Sequence, residues 1–93
     1  RKAKRLMDDG VMMIDPSAVF VEDTVKIEPG TMLYPNVYLR GETKIGAMCV
    51  IETGCVISDT TMGSNCHIKA GCYIDKTVIA SQVDMGPYAH MRP

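Results

Sequence analysis

One apolar residue returns every six positions along almost the whole chain. It stands at Ile14, Phe20, Ile27, Leu33, Leu39, Ile45, Ile51, Ile57, Met62, Ile68, Ile74, Ile79, Met85 and Met91. Three intervals depart from six. Phe20 to Ile27 is one longer; Ile57 to Met62 and Ile74 to Ile79 are one shorter. A period of six is neither the 3.6 of an amphipathic helix nor the seven of a coiled coil. It suits very short strands joined by tight turns.

A second register runs beside the first. Four residues after successive members come Ala18, Thr24, Thr31, Val37, Thr43, Cys49, Cys55, Thr61, Cys66, Cys72, Val78, Val83 and Ala89. All are small or β-branched. Gly30, Gly41, Gly46, Gly54, Gly63, Gly71, Gly86, Asn36 and Asn65 supply the turns. Hexapeptide periodicity of this kind marks a parallel β-helix. Three hexads make one triangular coil, with the large residue pointing in from each face and the small one near the corner. Coils stacked at the strand spacing of about 4.8 Å would give about four coils and a prism about 20 Å tall. The fold class expected is therefore all-β, a parallel β-helix over residues 11–93, preceded by a short helix over residues 1–10. Such a solenoid needs a cap or a continuation at each end. The chain opens at Arg1 without Met and reaches Pro93 with its hexads unbroken, so it is expected to be a segment of a longer protein.

The four cysteines fall in the small-residue register, in the slot that Thr, Val and Ala fill elsewhere. One coil is about eighteen residues, so Cys49 should stack on Cys66 and Cys55 on Cys72. Free Cys packs as a small hydrophobe. The tight Cys-x-x-Cys spacing of zinc sites is absent. The expectation is four buried, reduced, metal-free thiols, with oxidation in air the one risk of stacking them.

Other classes of function find little support. A net charge of −1 offers no footprint for nucleic acid or an anionic membrane. No apolar run reaches transmembrane length and no signal-peptide pattern is present, which points to the cytoplasm. His67 and His90 lie at unrelated phases and are expected to make surface or inter-coil hydrogen bonds rather than bind metal. The basic run from Arg1 to Arg5 reads as a solvated helix face ending at Gly10. The methionines on the inward column fill core space. No Ser/His/Asp arrangement, phosphate-cradling loop or paired-carboxylate motif appears. From the residues alone, the chain has a fold and no chemistry.

Two segments add a resemblance. "LMDDGVMMIDPSAVFVEDTVKI", from Leu6 to Ile27, resembles the junction of linker helix and β-helix in the bacterial bifunctional N-acetylglucosamine-1-phosphate uridyltransferase/glucosamine-1-phosphate N-acetyltransferase family. "MGPYAHMRP", from Met85 to Pro93, is similar to that family's Gly-Pro-Tyr/Phe-Ala-x-aliphatic-Arg-Pro segment, and the two short intervals recur where the family has them. The resemblance implies a left-handed β-helix, against the usual handedness of parallel crossovers. It implies a cytoplasmic homotrimer with acetyl-transfer sites between subunits, working in UDP-N-acetylglucosamine, peptidoglycan and cell-wall biosynthesis. There the amine of glucosamine 1-phosphate attacks acetyl-CoA with a histidine as general base, and the product is then joined to UTP with magnesium. The family's nucleotidyl-transfer domain would precede Arg1. Its catalytic His, its sugar-binding Lys, Tyr and Asn, and its acetyl-CoA contacts would follow Pro93. No catalytic, cofactor-binding or metal-binding residue of the family falls within the chain. Arg92 alone matches a family binding residue, the arginine that contacts the sugar-phosphate or nucleotide-sugar ligand; His90 is not the family's base. A different hexapeptide-repeat acyltransferase and a non-catalytic scaffold stand as the competing readings, and the segment by itself is expected to be inactive.

Overall fold

The computed structural model describes residues 2–93; Arg1, the first residue of the basic run, lies outside the described residues. Helix α1 (Lys2–Asp8) comes first. Fourteen short strands follow among the described residues: β1 (Met12–Met13), β2 (Val19–Val21), β3 (Lys26–Ile27), β4 (Met32–Leu33), β5 (Val37–Arg40), β6 (Lys44–Ile45), β7 (Val50–Ile51), β8 (Val56–Ser58), β9 (Thr61–Met62), β10 (His67–Ile68), β11 (Tyr73–Asp75), β12 (Val78–Ile79), β13 (Asp84–Met85) and β14 (His90–Met91). They form three parallel sheets. The first face stacks β1, β4, β7, β10 and β13; the second β2, β5, β8, β11 and β14; the third β3, β6, β9 and β12. The chain thus winds through four complete coils and two sides of a fifth as a parallel β-solenoid, as the six-residue period requires.

The inward column holds from Ile27 onward. Leu33, Leu39, Ile51, Ile57, Ile68 and Ile74 have no exposed surface at all. Burial of such side chains contributes about 1.5–3 kcal/mol each, and this stack is the core. Coils are tied by backbone hydrogen bonds running from each strand to the one above, such as Tyr38 N–H to Cys55 O at 2.9 Å and Val56 N–H to Cys72 O at 2.9 Å.

The first coil departs from the expected column. Ile14 is 55% exposed and Phe20 47% exposed. In their place Met13 lies over Leu33 and Val21 over Leu39. The cause is a 3-10 turn at Pro16–Ala18, which makes the interval from Met13 to Val21 eight residues. Asp15 caps that turn, accepting from Ser17 N–H at 3.2 Å and Ser17 Oγ–H at 2.7 Å. Ile14 and Phe20 are apolar by coincidence of position, so the period runs through them in sequence but not in space.

The small register is corrected at four places. Val19 and Val25 occupy the corner slots expected for Ala18 and Thr24. Thr60 is buried where Thr61 was expected. Thr77 sits in register with Thr60, and Val78 is 82% exposed. The working rule is that the small residue precedes the large one by two. The five-residue intervals remove a residue from the turn, so a rule counted forward from the preceding large residue overshoots by one at Thr61 and Val78.

α1 ends as its sequence suggests. Gly10 adopts φ 99°, Val11 N–H reaches back to Leu6 O at 3.0 Å and Gly10 N–H to Met7 O at 3.1 Å. That is a Schellman closure, accompanied by the burial of both Leu6 and Val11 in the core cluster. Ala3 and Leu6 turn inward over the first coil, so the helix caps the apolar column. Lys4 and Arg5 face solvent, as expected of the basic run, with Lys4 paired to Asp8 at 3.2 Å.

Candidate functional site

The second face is the one that carries Arg92. Along each of its strands, residues alternate between the core and the surface. Two outward columns result. One runs through Phe20, Tyr38, Val56, Tyr73 and His90, in register from strand to strand. The other runs through Arg40, Ser58 and Asp75. Arg92 follows Met91 directly after β14, one residue beyond the last registered pair, Ile74–Met91.

Both columns are knit between coils. Phe20 stacks on Tyr38 with ring centroids 4.7 Å apart, and Tyr73 meets His90 edge-on at 5.0 Å. Arg40 Nε–H donates to Ser58 Oγ at 3.2 Å. Met91 is half-buried against the core, whereas Arg92 and Pro93 are exposed. Pro93 biases Arg92 towards an extended backbone. The guanidinium therefore stands on the outer surface of the second face, with five donors and a permanent charge suited to a phosphate or carboxylate.

The other singled-out residues lie elsewhere. His67 is on the first face, where its Nε2 lies 2.5 Å from Glu52 Oε2 of the coil before, the inter-coil contact expected of it. His90 is exposed on the second face. A groove of about 420 Å³ opens at the opposite end of that face, between α1 and the Phe20–Tyr38 stack, with Lys2, Glu22 and Arg40 at its rim. It is four strand spacings, roughly 19 Å, from the Arg92 end.

All four cysteines are free and buried. Val50 pairs with His67 and Val56 with Tyr73, which sets Cys49 beside Cys66 and Cys55 beside Cys72 as the register anticipated. Each thiol donates to a carbonyl fourteen residues on: Cys49 to Gly63, Cys55 to Lys69 and Cys72 to Gly86 at 3.2 Å, and Cys66 to Ala80 at 3.1 Å. Thr31 serves the same purpose, its hydroxyl donating to Gly46 O at 2.8 Å. Burial pushes the Cys49 thiol above its ordinary value, and pushes Cys55 up to about 11. These are structural side chains. Among the described residues no three His, Cys, Asp or Glu side chains gather in a metal-binding group, and no helix is long and apolar enough to cross a membrane.

The sequence singled out Arg92 through a motif and passed over Arg40, Ser58 and Asp75 on the same face. Arg40, Ser58 and Asp75 recur at intervals of eighteen and seventeen. The same count that stacks the core stacks these outward residues, and it was there to be followed.

The fold and its hexad-built faces define a β-solenoid of the hexapeptide-repeat class. Residues 13–93 match the family described as the GMPPB C-terminal domain, and the chain belongs to that family. It is also similar over its whole length to proteins named bifunctional protein GlmU. It is 50% identical over 93 residues to that of Bdellovibrio bacteriovorus, covering all of this chain and 20% of the relative. It is 39% identical over 93 residues to that of Carboxydothermus hydrogenoformans, again covering the whole chain and 21% of the relative. Identity to that of Geotalea uraniireducens is 41% over 90 residues, or 97% of this chain and 20% of the relative. The resemblance read from Leu6–Ile27 and Met85–Pro93 thus extends along the entire sequence. The chain spans about a fifth of the length of the curated relatives it matches.

Proposed function

We propose that the chain contributes the first coils of an acetyltransferase domain in a bifunctional enzyme of UDP-N-acetylglucosamine synthesis. In that enzyme acetyl-CoA N-acetylates glucosamine 1-phosphate, and the product takes a uridylyl group from UTP with magnesium. The observation that carries this reading is the similarity of the whole chain to bifunctional GlmU proteins at up to 50% identity. The exposed Arg92 at the last coil of the second face fits a supporting part of such a site. Arg92 would hold the phosphate of the sugar through charge-assisted hydrogen bonds. The working assembly would be a cytoplasmic homotrimer serving peptidoglycan synthesis, with the acetyl-transfer sites between its subunits.

The test compares the purified 93-residue chain with the full-length protein that carries it. Each is given glucosamine 1-phosphate and acetyl-CoA, and then UTP and magnesium. The full-length protein should release CoA and then form the nucleotide sugar; the 93-residue chain should do neither. A full-length protein that acylates a different acceptor, or none, would replace this reading with another hexapeptide-repeat acyltransferase or a scaffold.

A further inference from the structure

We infer that the groove between α1 and the Phe20–Tyr38 stack is a binding site for a small aromatic anion, a planar ring carrying a phosphate or a carboxylate. It lies at the opposite end of the second face from Arg92 and stands independently of the reading of that residue.

The apolar wall comes from the first two coils. The groove holds about 420 Å³, within the range of small-molecule sites. Val19 and Val21 line it together with the two rings. Phe20 is 47% exposed and Tyr38 41%, so ring surface stays open although the rings pack on each other. Their centroids lie 4.7 Å apart. That matches the strand spacing of about 4.8 Å, so the stack climbs the solenoid axis one ring per coil. Tyr38 covers one face of Phe20. β2 is the terminal strand of its sheet, and α1 packs over it where a further strand would lie. At that level α1 offers the groove only the methyl of Ala3. A ligand ring entering there becomes the third member of the stack, in the offset arrangement aromatic rings prefer.

The rim supplies the charge. Lys2 Nζ donates to Asp23 O at 3.2 Å, which leaves two of its three ammonium hydrogens for a ligand. Arg40 Nε–H donates to Ser58 Oγ at 3.2 Å, which leaves the terminal edge of its guanidinium. The ion pairs among the described residues are Lys4–Asp8, His67–Glu52 and Lys69–Asp84, so neither Lys2 nor Arg40 is neutralised by one. Glu22 also lines the rim, but its Oε1 accepts from Gly41 N–H at 2.8 Å and is held by the backbone. Two cations against one carboxylate leave the rim positive.

Only a ligand with both parts satisfies this arrangement. A bare anion leaves the ring surface wet, and a neutral ring leaves the guanidinium edge without an acceptor. An aromatic anion stacks on Phe20 and gives its oxygens to Arg40 and Lys2 through charge-assisted hydrogen bonds.

The experiment titrates the full-length protein with phenyl phosphate, benzoate, benzyl alcohol and inorganic phosphate, followed by ligand-observed NMR. The variants are Arg40→Gln, Phe20→Ala, Phe20→Leu and, on the third face, the control Lys44→Gln; thermal melts verify that each is folded. Phenyl phosphate or benzoate should bind about tenfold tighter than either benzyl alcohol or inorganic phosphate, and the tighter of the two names the anionic group. Arg40→Gln and Phe20→Ala should each weaken that binding about three- to tenfold, and Lys44→Gln should leave it unchanged. Phe20→Leu keeps an apolar side chain and should weaken binding as Phe20→Ala does, because the ring face is the contact. The inference is overturned if neither anion binds saturably, or if Arg40→Gln and Phe20→Leu leave binding unchanged. It is equally overturned if inorganic phosphate binds as tightly as phenyl phosphate, which would leave a charged rim and no aromatic site.

Discussion

Phe20 lies flat against Tyr38, the two rings 4.7 Å apart and inclined by 14°, on the outer surface of the second face. This stack shows that the first coil is one residue out of phase with the apolar period. Leu39, the next residue after Tyr38, is fully buried. The two positions should therefore respond differently to truncation. Phe20→Ala should cost about 1 kcal/mol, the scale of an exposed aromatic pair. Leu39→Ala should cost about 2–5 kcal/mol through loss of burial and an unfilled cavity. Thermal or denaturant melts of both variants check this, and equal costs would return Phe20 to the core.

Most of the architecture was legible from residue spacing, because a solenoid repeats the same local problem in each coil. The inward column from Ile27 to Met91, the stacked cysteines and the helix stop at Gly10 all follow from side-chain size and the freedom of glycine. The first coil was not legible, because its 3-10 turn adds length where two apolar residues happen to keep time. The turns were only partly legible. Gly30, Met48, Asn65 and Gln82 adopt positive φ at successive levels of one corner. Glycine and asparagine announce that conformation; methionine and glutamine ordinarily avoid it and are held there by the coils on either side. Of the site, Arg92 came from a motif and from no physical signal in the chain. Arg40, Ser58 and Asp75, on the same face, needed the register of its strands.

Two glycines are required for space rather than for φ. A Cβ on Gly46 would lie 2.6 Å from the backbone carbonyl of Gly63, and one on Gly63 would lie 2.6 Å from the backbone nitrogen of Ser81. These neighbours are main chain and cannot rotate away. Gly46→Ala should destabilise by about 1–3 kcal/mol by forcing adjacent coils apart. Gly86, which has nothing within 4 Å of its would-be Cβ, is the control, and Gly86→Ala should be nearly neutral. A comparison of melting temperatures decides it.

The thiols should be silent in the folded protein. A disulfide reagent at pH 8 should label native Cys49, Cys55, Cys66 and Cys72 far more slowly than the unfolded chain, in which all four should react. There is a companion pH effect. Cys55 binds its proton more tightly when folded, at about 11 against an ordinary 9.0. Its contribution to stability is therefore complete below about pH 9 and declines as pH rises from there towards 11, where only the unfolded chain ionises readily. Cys55→Val removes the titrating group and should flatten that alkaline decline in melting temperature. Rapid native labelling, or a decline unchanged by the substitution, would contradict the burial.

The role proposed for Arg92 is tested most directly by assaying acetyl and uridylyl transfer, the two activities proposed for the full-length protein, with Arg92→Ala. Loss of a charge-assisted contact worth about 1.5–3 kcal/mol should lower kcat/KM for acetyl transfer about ten- to a hundredfold. The residue is exposed and outside the core, so uridylyl transfer and the thermal melt should be unchanged. That selective loss is the result expected of a side chain that holds the sugar phosphate. Acetyl transfer at the unmodified rate would contradict it and leave Arg92 a surface residue of the solenoid.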